Sequence, residues 1–69
     1  RALEYLLMSM RLVEGMEIPR YEALSGTRLP QTALDDLQRL GLVRLQGDRL
    51  AATSEGRPVL NAILRELAA

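Results

Sequence analysis

Apolar and polar positions along this chain recur in blocks, and the spacing inside each block predicts the element it forms. Near the start, Ala2, Leu3, Leu6, Met10 and Val13 cluster on one side of a helical wheel, with Arg1, Glu4, Arg11 and Glu14 on the opposite arc. This predicts a helix over 2–14 with a core-facing stripe. A second apolar set, Tyr5, Met8 and Leu12, is spaced by 3 and then 4 residues and is contiguous on the helix surface. Two stripes on one helix require two partners. Either the chain's own last helix covers the Tyr5 stripe, or the stripe docks on the remainder of a larger protein or on another subunit.

Gly15 ends the first pattern. Met16 and Ile18 then fit either a connection or a short extended edge entering a sheet, and the spacing does not choose between them. Pro19 suits the first turn of a short helix over 19–25, because its missing N–H would be unpaired there anyway. Ile18, Tyr21 and Leu24 share one face of that helix, and Gly26 stands where a left-handed cap is wanted. A third helix over 30–40 buries Ala33, Leu34, Leu37 and Leu40 and stops at Gly41. Two short apolar segments flanking Gln46-Gly47-Asp48 predict a hairpin over 42–52, with the glycine supplying the positive φ of a tight turn.

A last helix over 54–68 follows, with Leu60, Ile63, Leu64 and Leu67 packing on the first helix. Thr53 or Ser54 can cap it; Pro58 is tolerable only in its first turn, which favours Ser54. Gly56 has no turn to explain it and permits close packing at the start of that helix. Helix, hairpin, helix in this order predicts a mainly α, winged-helix-like fold with a small β-hairpin, a single domain over 1–69.

Composition acts mostly by exclusion. The chain has no Cys, His or Lys, so disulfides, thiolate or imidazole metal ligands and the usual general bases are absent from it. No catalytic, cofactor-binding or metal-binding residue is expected here. Asp35 and Asp36 point about 100° apart on a helix and form a solvated face, not a paired acid–base couple. Ser9, Ser25 and Ser54 have no base to activate them. The methionines, with Met8 and Met16 as the exposed pair, are read as pliable core filling rather than haem or copper ligands.

The nine basic and nine acidic residues balance to zero net charge, whereas a domain living on phosphate contacts carries a basic excess. The outward residues of the third helix, Gln31, Thr32, Asp35, Asp36, Gln38 and Arg39, would repel phosphate where a DNA reader needs attraction. Nucleic-acid binding is therefore the alternative function and not the leading one. No apolar run reaches membrane-spanning length and no signal-peptide layout is visible, so a cytoplasmic location is expected. A chain that opens on Arg1 directly into a helical pattern reads as a domain cut from a longer protein. Arg11 borders the Tyr5, Met8, Leu12 stripe; it is either an exposed ion pair with Glu4 or Glu14, or an interface anchor.

Glu4-Tyr-Leu-Leu-Met-Ser-Met-Arg-Leu-Val-Glu-Gly15-Met-Glu-Ile, with Tyr21 and Leu24, Leu40-Gly-Leu-Val, and Arg49-Leu-Ala-Ala-Thr-Ser-Glu-Gly56-Arg-Pro-Val-Leu-Asn61, resembles the C-terminal domain of the oxygen-independent coproporphyrinogen III oxidase-like radical-SAM proteins. That group includes the oxidase and a related haem chaperone. The resemblance covers nearly the whole chain, and its most specific part is Tyr-Leu-x-Met-x-x-Arg-Leu-x-Glu-Gly. It implies a parent oxidoreductase of porphyrin biosynthesis, or a haem-handling protein, whose iron–sulfur cluster and S-adenosylmethionine bind a three-cysteine motif in a preceding barrel. None of those ligands can be carried onto a chain without cysteine. The resemblance implies a place instead: a small accessory domain packed on the catalytic barrel, near a tetrapyrrole or a haem-accepting partner. The candidate interdomain interface is Tyr5, Met8, Arg11 and Leu12.

Overall fold

Helix α1 stops sooner than its apolar spacing predicts. In the computed structural model, which describes residues 1–68, α1 spans Ala2–Ser9, not 2–14. Beyond Ser9 the backbone bonds tighten to an i→i−3 pattern: Arg11 N–H to Met8 O, Leu12 N–H to Ser9 O and Gly15 N–H to Leu12 O. Arg11 illustrates the switch, since its side-chain Nε donates to the Leu7 carbonyl at 3.1 Å, the acceptor its own N–H would have used in a continuing helix.

A long-range contact overrides the local pattern here. Met16–Glu17 form strand β1, paired antiparallel with β3 (Arg49–Ala52) in the register Met16↔Leu50 and Glu17↔Arg49. To reach that position the chain crosses β3 at Gly15, whose φ is +76° and where a Cβ would overlap the Leu50 carbonyl and lie 2.8 Å from Ala51 Cβ. Only glycine fits both demands. The choice left open for Met16 resolves as a strand, and Met16 and Leu50 are both fully buried. Met16 is thus a core residue and not an exposed methionine.

Helix α2 (Ile18–Ser25) starts on Ile18 with Pro19 in its first turn and ends on Gly26 at φ +77°. Helix α3 (Gln31–Arg39) closes with Leu42 N–H on Leu37 O and Gly41 N–H on Gln38 O, the paired bonds of a Schellman cap with Gly41 as its left-handed residue. Between them, Glu22 Oε2 accepts the Leu29 N–H at 3.1 Å and anchors the connection that buries Leu29. Strand β2 (Val43–Gln46) pairs with β3 through the Gly47-Asp48 turn, and the described residues form one antiparallel sheet in the order β1-β3-β2.

The last helix also begins later than 54–68. Residues 54–56 turn, Arg57–Val59 form one 3₁₀ turn, and α4 spans Leu60–Ala68. Pro58 explains the delay, because it removes a donor just where the first α-helical bonds would form. The cap is Thr53, not Ser54: Thr53 Oγ1 accepts the Gly56 N–H at 3.1 Å and donates to the Gly41 carbonyl at 2.6 Å. Thr53 faces two elements at once, whereas Ser54 is exposed and bonded only to Glu55. Gly56 is buried, with its would-be Cβ overlapping the Leu42 carbonyl and 3.1 Å from Ile63 Cδ1, so it does permit the close packing expected of it.

The core joins Leu6 and Met10 of the α1 region, Met16, Tyr21, Leu29, Leu34, Leu37, Val43 and Leu50 to Ile63, Leu64 and Leu67 of α4. Three residues assigned to the core by spacing lie outside it: Leu3, Val13 and Leu40 are exposed, and so is Leu24 on the face it shares with Tyr21. Val13 lies beyond the end of α1, Leu24 is in the last turn of α2, and Leu40 follows the last residue of α3. The mainly α architecture with a small hairpin stands.

Candidate interdomain face

Two exposed apolar residues, Val13 and Leu24, matter for function, because they lie beside the predicted stripe. Tyr5 is only partly buried, and its phenol oxygen accepts the Glu17 backbone N–H at 3.0 Å. This bond fixes the ring at the junction of β1 and α2. On the ring lies Arg20, one residue after Pro19, with its guanidinium carbon 5.4 Å from the ring centroid. Tyr5 therefore faces α2. The last helix lies on another side of α1, against Leu3 and Leu7, so α4 does not cover the Tyr5 stripe.

Between α1 and α2 runs a shallow apolar groove of about 480 Å³, lined by Tyr5, Met8, Ser9, Leu12 and Leu24 with Arg1, Glu4 and Arg20 along its rim. Met8 is 71% exposed and Leu12 51%, and Val13 next to Leu12 is 71% exposed. Exposing a large apolar side chain forgoes roughly 1.5–3 kcal/mol of burial. Several such residues side by side in a 69-residue chain form a patch of the kind that marks an interaction surface. Ser9, buried beneath the groove, donates its hydroxyl to the Tyr5 carbonyl and leaves no unpaired polar atom in the floor.

The structure brings Tyr5, Met8 and Leu12 together. Arg11 is exposed on the turn that follows and pairs with neither Glu4 nor Glu14 among the described residues; its contact is the Leu7 carbonyl. Arg20 and Leu24 were missed by the spacing. Leu24 shares a helix face with buried Tyr21 but is itself exposed; nothing in the local sequence announces that Arg20 lies over Tyr5, a contact made across two helices.

The competing surface is less suited to its task. On α3, Asp35, Asp36 and Arg39 are exposed, but Arg39 is committed to Asp36 at 2.9 Å and Asp35 accepts from Gln31, which leaves an acidic face. At the hairpin, Arg49 is bonded to Glu17 at 3.3 Å and to the Glu14 carbonyl. No helix among the described residues is long and apolar enough to cross a membrane.

Among known proteins, no curated protein and no solved structure matches the chain. A protein-family model does match: residues 1–59 align with the HemN C-terminal domain. The matched stretch takes in every element from α1 through the 3₁₀ turn, including the whole α1–α2 face. By that match the chain belongs to the HemN C-terminal domain family, and is the C-terminal domain of a HemN-like protein.

Proposed function

We propose that the chain is a non-catalytic accessory domain that docks through its α1–α2 face on the catalytic barrel of a longer, cytoplasmic radical-SAM protein of the coproporphyrinogen oxidase or haem-chaperone kind. The observation that carries this reading is the run of exposed Met8, Leu12, Val13 and Leu24 around a groove that the domain's own last helix leaves open. Apolar side chains on a small soluble fold favour cover, and a C-terminal domain has its own protein beside it. Tyr5 serves both sides in this arrangement, holding Glu17 from within and lining the groove from without. Arg11 adds a cation at the border.

The donor set here does not suit an iron–sulfur cluster, since the chain has no cysteine or histidine. The cluster and S-adenosylmethionine implied by the resemblance belong to the barrel, as does any tetrapyrrole chemistry. The accessory domain would contribute surface and position, beside the tetrapyrrole or a haem-accepting protein.

The test uses the full-length HemN-like protein carrying Met8→Ser with Leu12→Ser. Both side chains are exposed, so the domain should stay folded, with slow amide exchange at Leu50 and Leu64 unchanged. Proteolytic cleavage of the segment preceding Arg1 should accelerate as the domain leaves the barrel. Unchanged cleavage would remove the docking reading.

A further inference from the structure

We infer that the surface covering the α1–α2 face presents carboxylates to Arg20 and Arg11, so that docking is an apolar contact framed by two charge-assisted pairs. The inference rests on the docking reading above and adds the chemistry of the partner. Its first ground is orientation. Arg20 is laid on the Tyr5 ring, which is itself fixed by the Glu17 N–H, and Arg11 is pinned through Nε to the Leu7 carbonyl. Both guanidiniums are thus placed before any partner arrives, each with its terminal NH₂ groups unclaimed by the bonds described. A fixed planar fork matches a carboxylate bidentately and loses little entropy on binding.

Charge supplies the second ground. Arg1 and Arg20 on the groove rim face one acid, Glu4, and Arg11 stands nearby; neither Arg11 nor Arg20 meets a carboxylate among the described residues. Elsewhere on the surface Arg39 and Arg49 hold Asp36 and Glu17, while Arg28, Arg44, Arg57 and Arg65 stand apart from the groove without a carboxylate among the described residues; the groove differs in setting its cations beside exposed apolar side chains. A neutral apolar surface would have to strip water from these guanidiniums without replacing it, which is costly, whereas a carboxylate beside each would recover that loss. The complementary partner is therefore a protein surface with an apolar centre and acidic residues at its edge, here that of the barrel.

The experiment follows cleavage before Arg1 in the full-length protein, comparing Arg20→Glu, Arg11→Glu, the charge-keeping Arg20→Lys, and the Met8→Ser/Leu12→Ser pair. The expected result is a roughly tenfold faster cleavage for each Glu variant, a smaller acceleration for Arg20→Lys, which keeps the charge but loses the planar fork, and faster cleavage of the unaltered protein as salt rises from about 0.1 M to about 1 M. Slow amide exchange at Leu50 must persist throughout, which separates undocking from unfolding. If the serine pair undocks the domain while neither salt nor the Glu variants do, the acidic partner is wrong and the docking reading survives. If none of them alters cleavage, both fall. Retention of the full-length protein on phosphatidylserine vesicles, lost in Arg20→Glu with cleavage unchanged, would assign the cations to a lipid surface and overturn the inference.

Discussion

The phenol oxygen of Tyr5 accepts the backbone N–H of Glu17 at 3.0 Å, so one side chain of α1 fixes the point where β1 passes into α2. That N–H stands between the two elements, where neither the sheet nor the helix satisfies it. Replacing Tyr5 by Phe keeps the ring and the Arg20 stack but removes the acceptor. The expected cost is about 1 kcal/mol, seen as a lower urea midpoint with an unchanged slope, together with faster amide exchange at Glu17.

The family match ends at residue 59, yet the fold does not. Ile63, Leu64 and Leu67 of α4 are buried against α1 and α3, and each contributes roughly 1.5–3 kcal/mol. Their sum rivals the whole stability of a small domain, about 5–15 kcal/mol at most. A chain cut after Val59 should therefore lose its fold, and Leu64→Asp should do the same at full length. Collapse of amide dispersion in the ¹H–¹⁵N spectrum of both variants is the check.

Gly56 and Gly26 should respond differently to alanine. At Gly56 a methyl group overlaps the Leu42 carbonyl, so the hairpin or α4 must move, at about 1–3 kcal/mol. At Gly26 there is open space, and the penalty is only the left-handed φ of +77°, roughly 1–2 kcal/mol. Gly56→Ala should shift the resonances of Leu42 and Ile63, whereas Gly26→Ala should disturb only its own turn.

Much of this was legible in the chain. The helix–hairpin–helix order follows from Leu34, Leu37 and Gly41, from Gly47, and from Ile63, Leu64 and Leu67, because each signal is local and the structure leaves it intact. The end of α1 was not legible. Periodicity continued through Val13, and only the pairing of Met16 with Leu50 stops the helix at Ser9. Thr53 displaced Ser54 as the cap for a similar reason, since its hydroxyl also reaches Gly41, on the far side of the hairpin. Of the candidate face, Tyr5, Met8 and Leu12 could be read from their spacing. Arg20 and Leu24 could not, because they join it through the packing of α2 on α1.

Methionine oxidation should discriminate sharply. Met8 is 71% exposed, while Met10 and Met16 are 1% and 0% exposed. Under mild hydrogen peroxide, peptide mass spectrometry should find the sulfoxide at Met8 well before the other two, which react only as the fold opens. Early oxidation of Met16 would contradict the pairing of β1 with β3.

Because α1 ends early so that Glu17 can meet Arg49, 32 positions further along, the turn bearing Arg11, Leu12 and Val13 acquires its shape only when the hairpin is in place. Synthesis runs in the opposite sense: the residues of this surface leave the ribosome first and wait for those that shape them. On the docking proposed above, a C-terminal domain built this way would complete its contact surface among the last events in the making of the protein, when the upstream portion has already had time to fold. The order of translation would thus delay the proposed union of the two parts until each has a finished surface to offer.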